Sequence, residues 1–133
     1  MLKLTVRQLV DASTSGALRR YLTLEKPMTV AWKNRKQISA CDEELKLFQE
    51  RQLALAEKYG TKDPEKPNVF TFDLGVELKP GENGPQRTAF NDAFNELLNQ
   101  PVDTIPGDPV SVSALDGKLS EADMLLLEPF LTD

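Results

Sequence analysis

Apolar residues fall along this chain in two different rhythms, and their alternation predicts its elements. From residue 31 to 60, "AWKNRKQISACDEELKLFQERQLALAEKYG", Ile38, Cys41, Leu45, Phe48, Leu55 and Tyr59 recur at spacings of three and four, with Gln52 as the one polar interruption. That is the stripe of a long helix over about 28 to 59. Pro27 suits its first turn, and Gly60 stands where a left-handed C-cap would fall, with Lys58 in the last turn. Leu47 and Leu53 lie off the stripe on a flank beside Ala40 and Ala54, with Trp32 further back on the Leu53 side. They predict a second, shallower apolar contact.

The period changes to two in "NVFTFDLGVELKP". Phe70, Phe72, Leu74, Val76 and Leu78 point one way, and Thr71, Asp73, Gly75 and Glu77 the other. The expectation is a principal strand over 69 to 78, bent at Gly75, whose phenylalanines and Leu74 pack on Ile38, Leu45 and Phe48. Helical spacing returns through Phe90, Phe94 and Leu97, flanked by Ala93 and Leu98, and stops at Pro101, which predicts a helix over 88 to 99. Between strand and helix, "PGENGPQ" reads as an exposed turn. It lacks the lysine and following Ser or Thr of a phosphate-binding loop.

Shorter elements carry end signals. Thr5 with Gln8 forms a capping box for a helix over 6 to 12 that buries Leu9 and Val10, and "SGALRRYL" reads as a second short helix. Ser120 caps "EADMLLLE", with Asp123 completing a second box and Pro129 ending it. Val102 to Ile105 and Val110 to Ser113 read as short extended segments beside the principal strand. Leu126, Leu127 and Phe130 are expected to close the core, although four consecutive apolar residues also suit a docking helix. The fold expected is α+β, a single domain over 1–133: a long central helix with shorter helices packed on a small, mainly antiparallel sheet.

At 133 residues, 40% hydrophobic, 28% charged and 7% aromatic, the chain has an ordinary globular composition. Charges at Lys3, Arg7 and Asp11 break the apolar run a signal peptide needs, and no stretch of membrane-spanning length occurs, so neither export nor a membrane is expected. Cys41 is the single cysteine, which excludes an intrachain disulfide and fits a small buried hydrophobe in a reducing, cytoplasmic setting. Histidine is absent. A Ser-His-Asp triad, a Cys-His pair and a His-ligated zinc are thereby excluded, leaving carboxylate chemistry.

The carboxylates give that chemistry little support. Glu43, Glu50 and Glu57 recur every seven residues as one stripe, most simply a solvated face. Asp103, Asp108 and Asp116 do not follow the calcium-loop spacing and suit turns. No catalytic, metal or cofactor-binding residue is assigned.

Charge along the chain is lopsided. Residues 1–36 hold Lys3, Arg7, Arg19, Arg20, Lys26, Lys33, Arg35 and Lys36 against Asp11 and Glu25, a net +6, and the remainder carries −11. Lys33, Arg35 and Lys36 lie in the first turns of the long helix, where the macrodipole disfavours each exposed cation by about 0.3–1 kcal/mol. Two readings follow: they pair with the protein's own acids, or they meet an anionic partner. The candidate partner-binding residues are Arg19, Arg20, Trp32, Lys33, Arg35, Lys36, Leu47 and Leu53. A protein partner or a second copy fits better than nucleic acid, because the chain totals −5 with a pI near 4.8.

In order along the chain, "KPMTVAWKNRK", "KYG", "FNELLN" and "LSEADMLLLEPF" resemble small proteins of unknown function encoded by tailed bacteriophages and prophages. The resemblance implies a bacterial cytoplasm and a role as virion or assembly component, or host-interaction factor; the function expected is non-catalytic and exercised through protein contacts. The alternative is a nucleic-acid-binding accessory protein using the basic N-terminal third.

Overall fold

The computed structural model describes residues 2–24, 26–66, 68–115 and 118–132. The elements, in order, are β1 (Leu4–Thr5), α1 (Val6–Thr14), α2 (Ala17–Thr23), α3 (Met28–Tyr59), β2 (Thr61–Lys62), β3 (Phe70–Thr71), α4 (Pro85–Leu98), β4 (Pro101–Val102), β5 (Val110–Ser111), α5 (Glu121–Leu126) and β6 (Leu131–Thr132). The class is α+β. The chain divides into two compact units: Met1–Lys46 with Asn99–Asp133, and Leu47–Leu98.

The first unit holds the deepest core. Leu2, Leu4, Val6, Leu9 and Ala12 enter it from the N-terminal segment, Leu18 and Tyr21 from α2, and Val102, Ile105, Leu115, Leu119, Leu127 and Phe130 from the C-terminal third. Tyr21 and Phe130 meet at 6.2 Å between ring centroids. Thr5 Oγ1 accepts from the Gln8 amide while Gln8 Oε1 accepts from the Thr5 amide, so the expected capping box starts α1. Gly16 then turns the chain into α2 with φ +82°, a conformation that favours glycine.

The extended segments here are brief. β1 pairs antiparallel with β4, matching Leu4 to Val102, and β5 pairs parallel with β6, matching Val110 to Leu131. The 102–105 and 110–113 regions were expected beside the 69–78 strand. They pair instead with the two ends of the chain, because the core they cover is built there.

α3 has the expected bounds, but its burial differs. Only Cys41 of the apolar stripe is fully buried, whereas Ile38, Leu45, Phe48, Leu55 and Tyr59 are half-buried. The other two fully buried α3 residues are Asn34 and Gln37. Burial pushes the Cys41 thiol up to about 12, with Asp42 and Glu44 adding to the shift, so it stays protonated and unreactive at neutral pH.

In the second unit the strand expected over 69 to 78 contracts to Phe70–Thr71, paired antiparallel with Thr61–Lys62. Asp73 at φ 58° and Gly75 at φ 80° turn the chain out of the sheet, leaving Leu74, Val76 and Leu78 exposed. Asp73 turns inward: its carboxylate accepts from the Gln86 amide at 2.8 Å and the Arg87 amide at 3.2 Å, capping α4, while its own amide donates to Gln86 Oε1 at 2.7 Å. A Cβ on Gly84 would collide with that carboxylate. Gly60 lacks the expected left-handed backbone, and a Cβ there would lie 2.9 Å from the Ala56 carbonyl and 3.1 Å from the Phe72 ring. It is a glycine for close approach.

Aromatic contacts within this unit run Phe72 to Phe90 at 4.8 Å, Phe90 to Phe94 at 5.7 Å and Phe94 to Phe48 at 5.8 Å. Phe70, Phe72, Leu74, Ile38, Leu45 and Phe48 were the residues expected in the core. None of the six is fully buried, and Leu74 is 68% exposed.

Candidate functional site

The opening turns of α3 place one set of candidate residues together. Trp32, Arg35 and Lys36 line a shallow depression with Ser39, and the Arg35 guanidinium lies 5.8 Å from the centre of the Trp32 ring. Trp32 is 62% exposed. Lys33 points elsewhere: it lines a separate hollow with Pro106, Gly107 and Asp108, reached also by Lys36. Among the described residues, no carboxylate stands within ion-pair distance of Lys33, Arg35 or Lys36.

The α2 arginines differ from one another. Arg19 is exposed, whereas Arg20 is occupied within its own unit. Its Nε and Nη2 donate to the two carboxylate oxygens of Asp123, both at 2.7 Å, and Nη2 also reaches the Ser15 carbonyl. The box expected at α5 is thus half formed. Ser120 accepts from the Asp123 amide, but the Asp123 carboxylate goes to Arg20.

The hydrogen bond from Arg20 holds the Asp123 carboxyl below the usual carboxylate range. A depressed folded-state value stabilises the fold above the unfolded pKa and is lost as pH falls through the folded one. Melting temperature should therefore fall on acidification below about pH 4. Asp123→Asn should flatten that part of the profile, and an unchanged slope would show that other carboxylates set it.

Leu47 and Leu53 belong to the second unit, at 40% and 37% exposure. Leu53 borders an open groove of about 490 Å³ with Gln52, Phe70, Phe72, Phe90 and Arg87. Arg87 lies over the Phe72 and Phe90 rings at 5.0 and 5.7 Å. Reading by helical faces gave Arg87 no role, since its placement follows from the Asp73 cap.

Glu43, Glu50 and Glu57 are exposed, as are Asp103 and Asp108, and Asp116 lies outside the described residues. Among the described residues no group of three or more Cys, Asp or Glu is placed to hold a metal ion, and no helix is long and apolar enough to cross a membrane. No family model, curated protein or solved structure matches the chain.

Proposed function

We propose that this protein acts through protein contacts rather than catalysis, as a self-associating phage-type protein of the bacterial cytoplasm: a virion or assembly component, or a host-interaction factor. The observation that carries the reading is the start of α3, where Trp32 is largely exposed under a stacked Arg35 and beside Lys36, with no carboxylate paired to either cation among the described residues. Trp and Arg are the residues most enriched at the energetic centres of protein interfaces. The partner surface is acidic, and a second copy supplies one, because residues 37–133 carry −11 and the Glu43, Glu50 and Glu57 row of α3 is exposed. Leu47 and Leu53 offer a further apolar contact.

Trp32 is the single tryptophan of the chain, so its fluorescence reports this surface directly. On this account the emission maximum moves to shorter wavelength as protein concentration rises, and added salt reverses the shift. A maximum that stays at the solvent-exposed value across the micromolar to millimolar range would sink the assignment of Trp32 to a self-interface.

A second reading rests on exposed cations: binding of a nucleic-acid backbone through Arg19, Lys33, Arg35 and Lys36. It predicts affinity for single- or double-stranded DNA that falls steeply as salt rises. An absence of binding at low salt removes it.

A further inference from the structure

The stretch "LGVELK", residues 74–79, keeps the alternation of a strand, yet no strand pairs with it among the described residues. Leu74, Val76 and Leu78, one face of that period, are 68%, 46% and 38% exposed. From Val76 to Lys79 the backbone runs without turn or bend and without a positive φ. Glu77 and Leu78 make no backbone hydrogen bond among the described residues. Leu78 also borders a hollow of about 390 Å³ with Phe70, Phe72 and Arg87, so this apolar row reaches the aromatic residues of its own unit. An extended, apolar and unpaired segment of this kind is a template for another strand.

The charges beside Leu78 select that strand. Glu77 and Lys79 flank Leu78, and both are exposed. If the segment meets an identical one antiparallel, with Leu78 opposite Leu78 on a two-fold axis, Glu77 of each copy stands opposite Lys79 of the other. Two opposite-charge cross-strand pairs result. An axis at residue 77 or 79 would oppose like charges, and an axis between residues would set Leu78 against a charge, so one register is favoured. The backbone suits the same register. Leu78 and its counterpart exchange both N–H to C=O bonds, which puts Glu77 and Lys79 at the closer positions, about 4.5 Å apart at Cα. Val76 then faces Pro80. The Val76 amide already donates to the Asp73 carbonyl at 3.0 Å and Pro80 has no N–H, so the ladder ends without an unpaired donor.

We propose that residues 76–80 pair antiparallel with the same residues of a second copy, across a two-fold axis at Leu78. The contact is isologous and closes at two copies. It lies within the second unit and uses none of the α3 cations, so it and the Trp32 surface can fail separately.

The test is sedimentation equilibrium on the full-length chain carrying Arg35→Gln and Lys36→Gln, which removes those two α3 cations. This background should still approach the mass of two chains as its concentration rises. Adding Glu77→Lys or Lys79→Glu alters an exposed residue, so each variant should fold normally, and circular dichroism checks that. Each should weaken self-association about tenfold or more, because both cross-strand pairs become like-charged. Mixed in equal amounts, the two variants should associate with each other as the background does with itself, since each offers the charges the other lacks. The proposal is overturned if the background stays at the mass of one chain, whether or not the unsubstituted chain associates. It is overturned equally if either variant self-associates as the background does, or if the mixture is as weak as its components.

Discussion

Phe130→Ala should cost about 3–5 kcal/mol, the range for truncating a fully buried aromatic. Its ring is 2% exposed and lies 6.2 Å from that of Tyr21, itself sealed from solvent. Leu2, Leu9, Ile105 and Leu127 of the same unit are also among the most deeply buried side chains. Tyr21 comes from α2 and Phe130 from the C-terminal segment, so truncation loosens a contact between distant parts of the chain. Since whole domains are stable by only about 5–15 kcal/mol, the variant should be partly unfolded at ambient temperature. Leu125→Ala, on α5 and 72% exposed, is the control and should change stability by less than about 0.5 kcal/mol. Urea denaturation compares the two. Equal midpoints would mean that the core has been misplaced.

The second large effect is expected at Asp73→Ala. The substitution removes the carboxylate that caps α4, typically about 1–2 kcal/mol. It also places an alanine at φ 58°, where the left-handed conformation costs roughly 1–2 kcal/mol that Asp largely avoids. The sum is about 2–4 kcal/mol, centred on the second unit. Asp73→Asn keeps an acceptor oxygen and tolerates the same backbone, so it should lose less than half as much. Gly84→Ala should act in the same direction by pushing the carboxylate off the Gln86 and Arg87 amides. Hydrogen exchange localises the effect: amides in the first turns of α4 should lose protection before those of α1. Uniform loss across both helices would contradict a local cap.

These two sites show what the sequence makes legible and what it hides. Helices announced themselves where the signal was local: the Thr5 and Gln8 box, Pro27 before α3 and Ser120 at α5 stand where the residues place them, and α3 ends at Gly60 as expected, though without a left-handed cap. The strand did not. Alternation from Phe70 to Leu78 is real, but Asp73 and Gly75 adopt left-handed conformations two residues apart, and the D-L-G turn signal outweighs the period. The first unit's core was obscured because Leu2, Leu4, Val102, Ile105 and Leu127 come from segments far apart in the chain, which no local window joins. Asn34 and Gln37 were invisible for another reason: polar residues on a helix read as surface until the structure shows them buried.

The candidate surface was legible in part. Trp32, Arg35 and Lys36 do share a face, as helical spacing requires. Arg20 does not belong with them, because its partner Asp123 is 103 residues away, a pairing that spacing cannot reveal. Lys33 turns toward the 106–108 loop for a similar reason.

The most direct test of the central claim is the solution mass of the purified protein by light scattering at low and at high salt. Self-association of the basic start of α3 with an acidic surface predicts a mass above that of one chain at low salt, falling toward 14.9 kDa as salt rises. A mass of one chain in both conditions, over the full range of accessible concentration, would contradict it.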